Sequence, residues 1–398
     1  MPKIVLIYVE SGGGHRAAAH ALCRAIRAQQ LPWQVETASI QDLLDSIDFI
    51  RKLTSVRFQD VYNILLRRGW TAGFAQLIPL AHLAIRLTHR RQVKVLERYW
   101  RASRPNLVVS LIPHYNRALK ESLEHACPGT PFVTLLTDIA DYPPHFWIEN
   151  QDQYVICGSE RAAAQAGEIG IPPDHILRTS GMILDPRFYE PIRIDRSAER
   201  IRSGLDPDLP TGLVLFGGEG SAEMLRVVKA LNRTGSRLQL ILLCGRNAHV
   251  ADRLRGLEKR IPMLVEGFTR AVPFYMELSD FFIGKPGPGS ISEAVAKRLP
   301  VIVQRNAWTM AHEAYNTVWL EEQGYGLVVR DFARDIASAV DTLLEPATYA
   351  RFRAATSRAA NYAVFEIPQM LERILSFPSH GRQGAVLAPA GINLAPQR

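Results

Sequence analysis

An imidazole that follows a strand-like run and a row of glycines is well placed to move a proton. Ile4–Val9 is a continuous apolar run, and Glu10-Ser11-Gly12-Gly13-Gly14-His15-Arg16-Ala17 comes directly after it. At the carboxyl end of a strand in an open α/β sheet, such a turn lets a ligand approach backbone N–H groups and the N-terminus of the next helix. The third glycine of a Gly-x-Gly-x-x-Gly dinucleotide fingerprint is missing, and no Gly-Lys-Ser/Thr follows as in a phosphate-binding P-loop. His15 either accepts a proton from an acceptor hydroxyl near neutral pH, or merely starts a helix and bonds the backbone. A carboxylate, Asp138, closes a second apolar run and precedes the loop Asp141-Tyr-Pro-Pro-His-Phe-Trp147. It can orient His15 or a sugar hydroxyl, or it can cap a helix or steady the loop.

The second half repeats the pattern of strand, glycines and helix. Phe216-Gly217-Gly218-Glu219-Gly220-Ser221 frees backbone N–H groups to meet phosphate oxygens. In Gly284-Lys285-Pro286-Gly287-Pro288-Gly289-Ser290-Ile291-Ser292-Glu293, Ser290 can bond phosphate or cap the helix, and Glu293 can accept from a ribose diol. Ser290 and Glu293 also stand at capping-box spacing. His312-Glu313 with Asn316 opens a further helix after the run Val301–Gln304, a weaker signal.

The elements that must hold these groups form two α/β halves. In the first, Ile4–Val9, Leu107–Leu111, Phe132–Thr137 and Gln153–Cys157 read as strands, with an Ala-rich helix from about Arg16 to Gln29. In the second, Leu213–Phe216, Gln239–Cys244, Met263–Glu266, Phe281–Ile283 and Val301–Gln304 do so. Strands alternating with helices imply parallel sheets covered on both faces. Part of Asp185–Pro210, rich in Pro, Arg and Asp, reads as the connection between halves. The expected domains are therefore residues 1–190 and 191–378, followed by a loose tail over 379–398.

A chain of 398 residues exceeds one ordinary core, which agrees with two domains. Its 47% hydrophobic and 22% charged residues are those of a folded globular protein. No apolar run reaches the ~18 residues of a spanning helix, and no small-residue cleavage site follows the opening run, so neither an anchor nor a signal peptide is expected. Cys23, Cys127, Cys157 and Cys244 form no Cys-x-x-Cys pair, which argues against structural zinc and a disulfide framework and for a reducing cytoplasm. The net charge of +8 is concentrated, since residues 51–104 hold twelve Lys/Arg against Asp60 and Glu97 only. Trp70, Phe74, Leu77 and Ile78 lie in the same segment as Arg86, Arg90 and Arg91. Either this is a helical insertion with a solvated basic face, or it docks on an anionic membrane, the reading favoured here because charge and apolar groups coincide.

Six of these motifs in one order closely resemble the family of monogalactosyldiacylglycerol synthases and diacylglycerol glucosyltransferases, relatives of the peptidoglycan lipid-intermediate glycosyltransferases. They are Gly12–Ala17, Thr137-Asp138, Gly217–Gly220, Cys244-Gly245-Arg246-Asn247, Glu266-Gly267-Phe268-Thr269 and Lys285–Ala294, within roughly residues 3–375. The resemblance implies a GT-B fold, two Rossmann-like domains facing a central cleft, with the acceptor on the first and a UDP-sugar mainly on the second. It implies inverting transfer of galactose or glucose to diacylglycerol, with no cofactor and no metal. By similarity His15 is the base, with Asp138 in support. Gly14, Gly217, Gly218, Gly220, Ser221, Gly287, Gly289 and Ser290 serve the donor diphosphate with Arg246 nearby. Gly267, Phe268 and Thr269 meet uracil, Glu293 the ribose, and His312 and Glu313 the sugar. The family commonly has Gln in one of the last two positions, and the loop 139–147 also departs from the plant enzymes. The expected partners are a UDP-sugar, a lipid acceptor and an anionic membrane, at the cytoplasmic face of the cell membrane, and not nucleic acid. The rival readings are N-acetylglucosaminyl transfer to a polyprenyl-linked peptidoglycan precursor, a UDP-N-acetylglucosamine 2-epimerase, and a basic nucleic-acid-binding protein.

Overall fold

The computed structural model describes residues 1–10, 13–45, 74–258, 260–307 and 309–376, with the backbone alone over 74–84. The short apolar runs pair into two six-stranded sheets, parallel throughout. The first contains β1 (Lys3–Tyr8), β2 (Gln34–Ser39), β3 (Leu107–Ser110), β4 (Phe132–Leu135), β5 (Tyr154–Cys157) and β6 (Ile176–Arg178), in the order β2-β1-β3-β4-β5-β6. The second contains β7 (Thr211–Leu215), β8 (Gln239–Leu243), β9 (Met263–Glu266), β10 (Phe281–Gly284), β11 (Val301–Gln304) and β12 (Gly326–Val329), in the order β12-β11-β10-β7-β8-β9. Central strands such as β3, β4, β7 and β10 are buried along their whole length, as helices on both faces require.

This order determines where a ligand can sit. The order in which strands are added reverses between β1 and β3 in one sheet, and between β7 and β10 in the other. At such switch points the loops after neighbouring strands part and leave a crevice at their carboxyl ends. The His15 turn follows β1, and the turns at Gly217 and Gly287 follow β7 and β10. The glycine motifs therefore flank both crevices.

Residues 74–103 form one 30-residue helix, Phe74–Ser103. Val93, Leu96 and Trp100 bury its inner face in the core under the helix Asn116–Ala126, where Trp100 Nε1 donates to Ser122 Oγ at 2.9 Å. Arg86, Arg90, Lys94 and Arg98 recur every fourth residue, which aligns them as an exposed stripe. Leu87 stands within it at 78% exposure. Trp70 lies outside the described residues, as do the side chains of Phe74, Leu77 and Ile78.

Two boundaries differ from the expectation. Most of the proposed connection is built into the second domain: Phe188 and Leu205 enter its core, and buried Arg200 on the helix Arg196–Arg202 donates to Leu278 O and Asp280. The last described helix, Ala363–Ser376, falls within the expected second domain, 191–378, but packs on the first. Its Ala363, Ile367, Leu371 and Ile374 share a core with Leu22 and Ile26 of the helix Gly14–Ala28. The apolar face of that first helix needs a cover, and the helix Ala363–Ser376 returns to supply it. The tail 379–398 lies outside the described residues.

Candidate active site at the interdomain cleft

On the first wall, Gly13 adopts φ +82° and caps the helix Gly14–Ala28 through its backbone, which places His15 in the first turn. The imidazole is half-buried, and its Nδ1 lies 2.9 Å from Thr137 Oγ1 at the end of β4. The Trp147 ring packs at 5.6 Å between centroids. Loss of solvent in the cleft lowers the His15 pKa below its ordinary value; Asp138 pulls it back up, while His312 across the cleft depresses it further. Asp138 is buried and accepts from Trp147 Nε1 at 2.9 Å, so it fixes the indole beside His15 and acts on the imidazole through its charge. The helix-capping role left open for it is not realised.

The loop after Asp138 is held by Asp141, which accepts from Trp147 N at 2.7 Å and His145 N at 3.2 Å. Burial raises the Asp141 pKa, and these N–H donors oppose the rise.

On the second wall, two backbone turns pack directly on each other. A side chain at Gly220 (φ +65°) would put Cβ 2.1 Å from Cys244 O, and one at Gly245 (φ +58°) would put it 2.3 Å from Gly218 O. Only glycine fits at either position. Ser221 is buried and accepts from Glu223 N at 3.2 Å, and Thr269 Oγ1 accepts from Ala271 N at 3.0 Å, so both hydroxyls shape their turns. Arg246 donates to Glu219 at 3.4 Å and stacks 4.2 Å above the Phe268 ring, which is 53% exposed. Arg246 is thus bound into the wall beside Gly267 and Phe268. Such a guanidinium–aromatic pair makes a flat platform.

The helix Pro288–Ala296 begins with Gly287 as its cap and no side-chain cap bond. The capping-box alternative for Ser290 and Glu293 is therefore overturned, because both residues already lie inside the helix. A Cβ on Gly289 or Gly14 would meet nothing within 4 Å, so both turns are open to a ligand. The Glu293 carboxyl makes no hydrogen bond among the described residues, although its backbone carbonyl accepts from Lys297 N at 3.1 Å. Burial and the neighbouring Asp185 push its pKa up to about 8 against the pull of Arg187.

Lys285 lies between the two glycine turns, since a Cβ on Gly217 or Gly287 would stand 3.6 or 3.2 Å from its Cε. Its Nζ donates to buried Glu313 at 2.7 Å. Burial alone would raise the Glu313 pKa, but Lys285 and His312 together hold it below the ordinary carboxylate value. His312, one residue earlier on the helix Ala311–Glu322, stacks on Phe146 of the opposite wall at 5.6 Å and 10° between planes. Its Nδ1 is buried with no hydrogen-bond partner among the described residues.

The structure thus brings His15, Asp138, Glu313 and His312 to one cleft, with the glycine turns and Glu293 along its second wall. Arg86, Arg90 and Arg91 lie apart from it, on the exposed face of Phe74–Ser103. Sequence reasoning assigned no task to Thr137, Phe146, Trp147 or Lys285. Lys285 was legible as a cation between two glycine motifs, whereas the contacts of the other three depend on the loop path.

Residues 213–373 match the family model "Glycosyltransferase family 28 C-terminal domain". Over 350 residues the chain is 27% identical to the "Probable monogalactosyldiacylglycerol synthase 2, chloroplastic" of Oryza sativa subsp. japonica, covering 83% of this chain and 71% of that protein. It is 26% identical over 337 residues to "Monogalactosyldiacylglycerol synthase 1, chloroplastic" of Arabidopsis thaliana, covering 81% of this chain and 61% of that protein. Among solved structures, MurG of Acinetobacter baumannii superposes with a TM-score of 0.57 at 13% identity, covering 94% of this chain and all (100%) of MurG. The S. aureus MnaA–UDP co-structure superposes with a TM-score of 0.60 at 16% identity, covering 94% of this chain and 97% of that one. With two switch-point crevices facing one cleft, the chain has the GT-B fold; its residues 213–373 match the family 28 glycosyltransferase C-terminal domain, and most of its length is similar to monogalactosyldiacylglycerol synthases.

Proposed function

We propose that this protein transfers a hexose, galactose or glucose, from a UDP-sugar to the free hydroxyl of diacylglycerol. One observation carries the reading. A desolvated imidazole, His15, stands at one switch point and faces His312 on a second wall that carries open glycine turns, the Lys285 ammonium group and buried Glu313. The sequence relatives are named as monogalactosyldiacylglycerol synthases, and the MnaA neighbour holds UDP, which supports a nucleotide-sugar donor.

In this reading Thr137 orients His15, whose other ring nitrogen takes the proton of the acceptor hydroxyl. The freed oxygen attacks the anomeric carbon, the bond from that carbon to the diphosphate breaks, and UDP leaves with inversion. Backbone N–H groups at Gly217–Ser221 and Gly287–Ser290, with Lys285, meet the charge that develops on the diphosphate, in place of a metal. The Arg246–Phe268 platform with Gly267 and Thr269 flanks the base, and Glu293 accepts from the ribose. His312 and Glu313 contact the sugar.

Diacylglycerol stays in the bilayer, because each methylene exposed to water costs about 0.8 kcal/mol. No helix of the described residues is long and apolar enough to cross a membrane. The reading therefore docks the protein on an anionic, cytoplasm-facing leaflet through Arg86, Arg90 and Arg91 beside Leu87, on the exposed face of Phe74–Ser103, each cation contributing up to about 1 kcal/mol. Purified protein assayed with UDP-galactose, UDP-glucose and UDP-N-acetylglucosamine against diacylglycerol, ceramide and polyprenyl phosphate vesicles tests the whole reading. Hexose transfer to diacylglycerol is expected, and transfer confined to a polyprenyl acceptor would replace it.

A further inference from the structure

The loop Asp141–Trp147 belongs firmly to the first domain. Gln165 bonds both the N–H and the C=O of Asp141 at 2.9 Å, and Arg161 Nε donates to Tyr142 OH at 3.3 Å. Two residues around Phe146 hold a left-handed backbone, His145 at φ +61° and His114 at φ +70°. The His114 N–H donates to Phe146 O at 2.9 Å, and its ring meets Phe146 edge-on at 4.2 Å. Non-glycine residues persist in that conformation where their surroundings over-determine it, often beside functional sites.

Yet the loop presents two rings to the other domain. Phe146 stacks on His312, and Tyr142 meets Tyr315 at 5.2 Å between centroids. His312 and Tyr315 are three residues apart, so they share one face of the helix Ala311–Glu322. That helix is tied to the turn between β10 and Gly287: Glu313 holds Lys285, and Asn316 Nδ2 donates to Pro286 O at 2.8 Å. At its other end the loop carries Trp147, which packs on His15. A path of neighbouring groups thus runs from His15 through Trp147, Phe146, His312 and Glu313 to Lys285.

We propose that Tyr142, Phe146 and Tyr315 are positioning residues: the ring contacts between the loop Asp141–Trp147 and the helix Ala311–Glu322 set the gap between His15 and the donor. The proposal rests on His15 being the base of a transfer reaction. A displacement of about 1 Å between reacting groups can cost on the order of 100-fold in rate, so a contact that sets this gap need touch neither substrate.

The test compares Phe146→Leu, which keeps apolar volume without the ring, with Tyr315→Ala and Tyr315→Phe. With Tyr315→Ala and Phe146→Leu, kcat should fall by about 10- to 100-fold while UDP affinity by calorimetry stays within about twofold, and Tyr315→Phe should restore kcat. A second readout needs no substrate: the titration of His15, followed by NMR and assigned with His15→Asn. In both loss variants its midpoint should rise towards the ordinary histidine value, as solvent enters and His312 withdraws while Asp138 stays. Unchanged kcat in Tyr315→Ala, loss of UDP affinity in step with kcat, or an unmoved His15 midpoint would each reduce the contact to packing. If Phe146→Leu does not fold, Tyr315→Ala decides. An unmutated protein inactive on every donor and acceptor would overturn the transfer reading instead, and the titration would still settle whether these rings govern the His15 environment.

Discussion

Thr137 Oγ1 lies 2.9 Å from His15 Nδ1, from the end of a strand two positions across the sheet from the one that precedes the histidine. A hydroxyl so placed can accept a hydrogen bond from Nδ1–H, the tautomer in which Nε2 carries the lone pair of the base. His15→Ala should therefore lower kcat by roughly 100-fold or more, with UDP binding near normal. Thr137→Val should cost about 2- to 10-fold, the scale of one hydrogen bond of about 0.5–1.5 kcal/mol. Steady-state kinetics beside UDP calorimetry check both, and an active His15→Ala would remove the base from His15.

The acid limb of the pH profile should report His15. Its pKa is lowered chiefly by desolvation, so the neutral base form survives below the ordinary value of about 6.5, and the limb of kcat/KM should lie on the acid side of it. Asp138 opposes that shift, so Asp138→Asn should move the limb to still lower pH. A limb at or above 6.5, or a move in the opposite direction, contradicts this account.

Glu293 predicts a proton-coupled nucleotide affinity. With its carboxyl pushed up to about 8, it is largely protonated at neutral pH in the free protein. Ribose hydroxyls donate to the carboxylate form, so UDP binding should release a proton and tighten as pH rises from 6 towards 8. Glu293→Ala should flatten that dependence and weaken UDP by about 1–3 kcal/mol. Calorimetry in buffers of different ionisation enthalpy measures the released proton directly.

If N–H groups and Lys285 neutralise the diphosphate, EDTA should leave transfer intact. Full loss on chelation, restored by Mg²⁺ or Mn²⁺, would demand a metal site.

Binding to vesicles should rise with anionic lipid content and fall with salt. Reversal of Arg86, Arg90 and Arg91 to Glu should weaken it and slow transfer to vesicle-borne acceptor, while UDP binding holds. Equal binding by the parent and the triple variant would leave the stripe as a solvated face.

Much of this architecture was legible because buried parallel strands write themselves as unbroken apolar runs: Leu107–Leu111 and Phe281–Ile283 differ by one residue each from the strands Leu107–Ser110 and Phe281–Gly284. β2, β6 and β12 were not. Each is an edge strand with partly exposed positions, and its sequence (QVETAS, ILR, GLVV) is polar, very short or glycine-led. The glycine turns could be read from composition, since close backbone approach at Gly220 and Gly245 admits nothing larger. The Phe146–His312 stack could not, because it joins residues far apart in sequence through the way two domains meet.

The return of Ala363–Ser376 to the first domain means that the chain crosses between domains twice. Cutting the polypeptide once, anywhere between the sheets, frees neither half. A fragment ending near residue 190 would expose the apolar side of Leu22 and Ile26 and aggregate, unless the last helix were supplied in trans or grafted onto its end. Release of the first half as an independent unit thus requires a circular permutation or a two-piece complementation, and a nick at the first crossing should leave the protein associated.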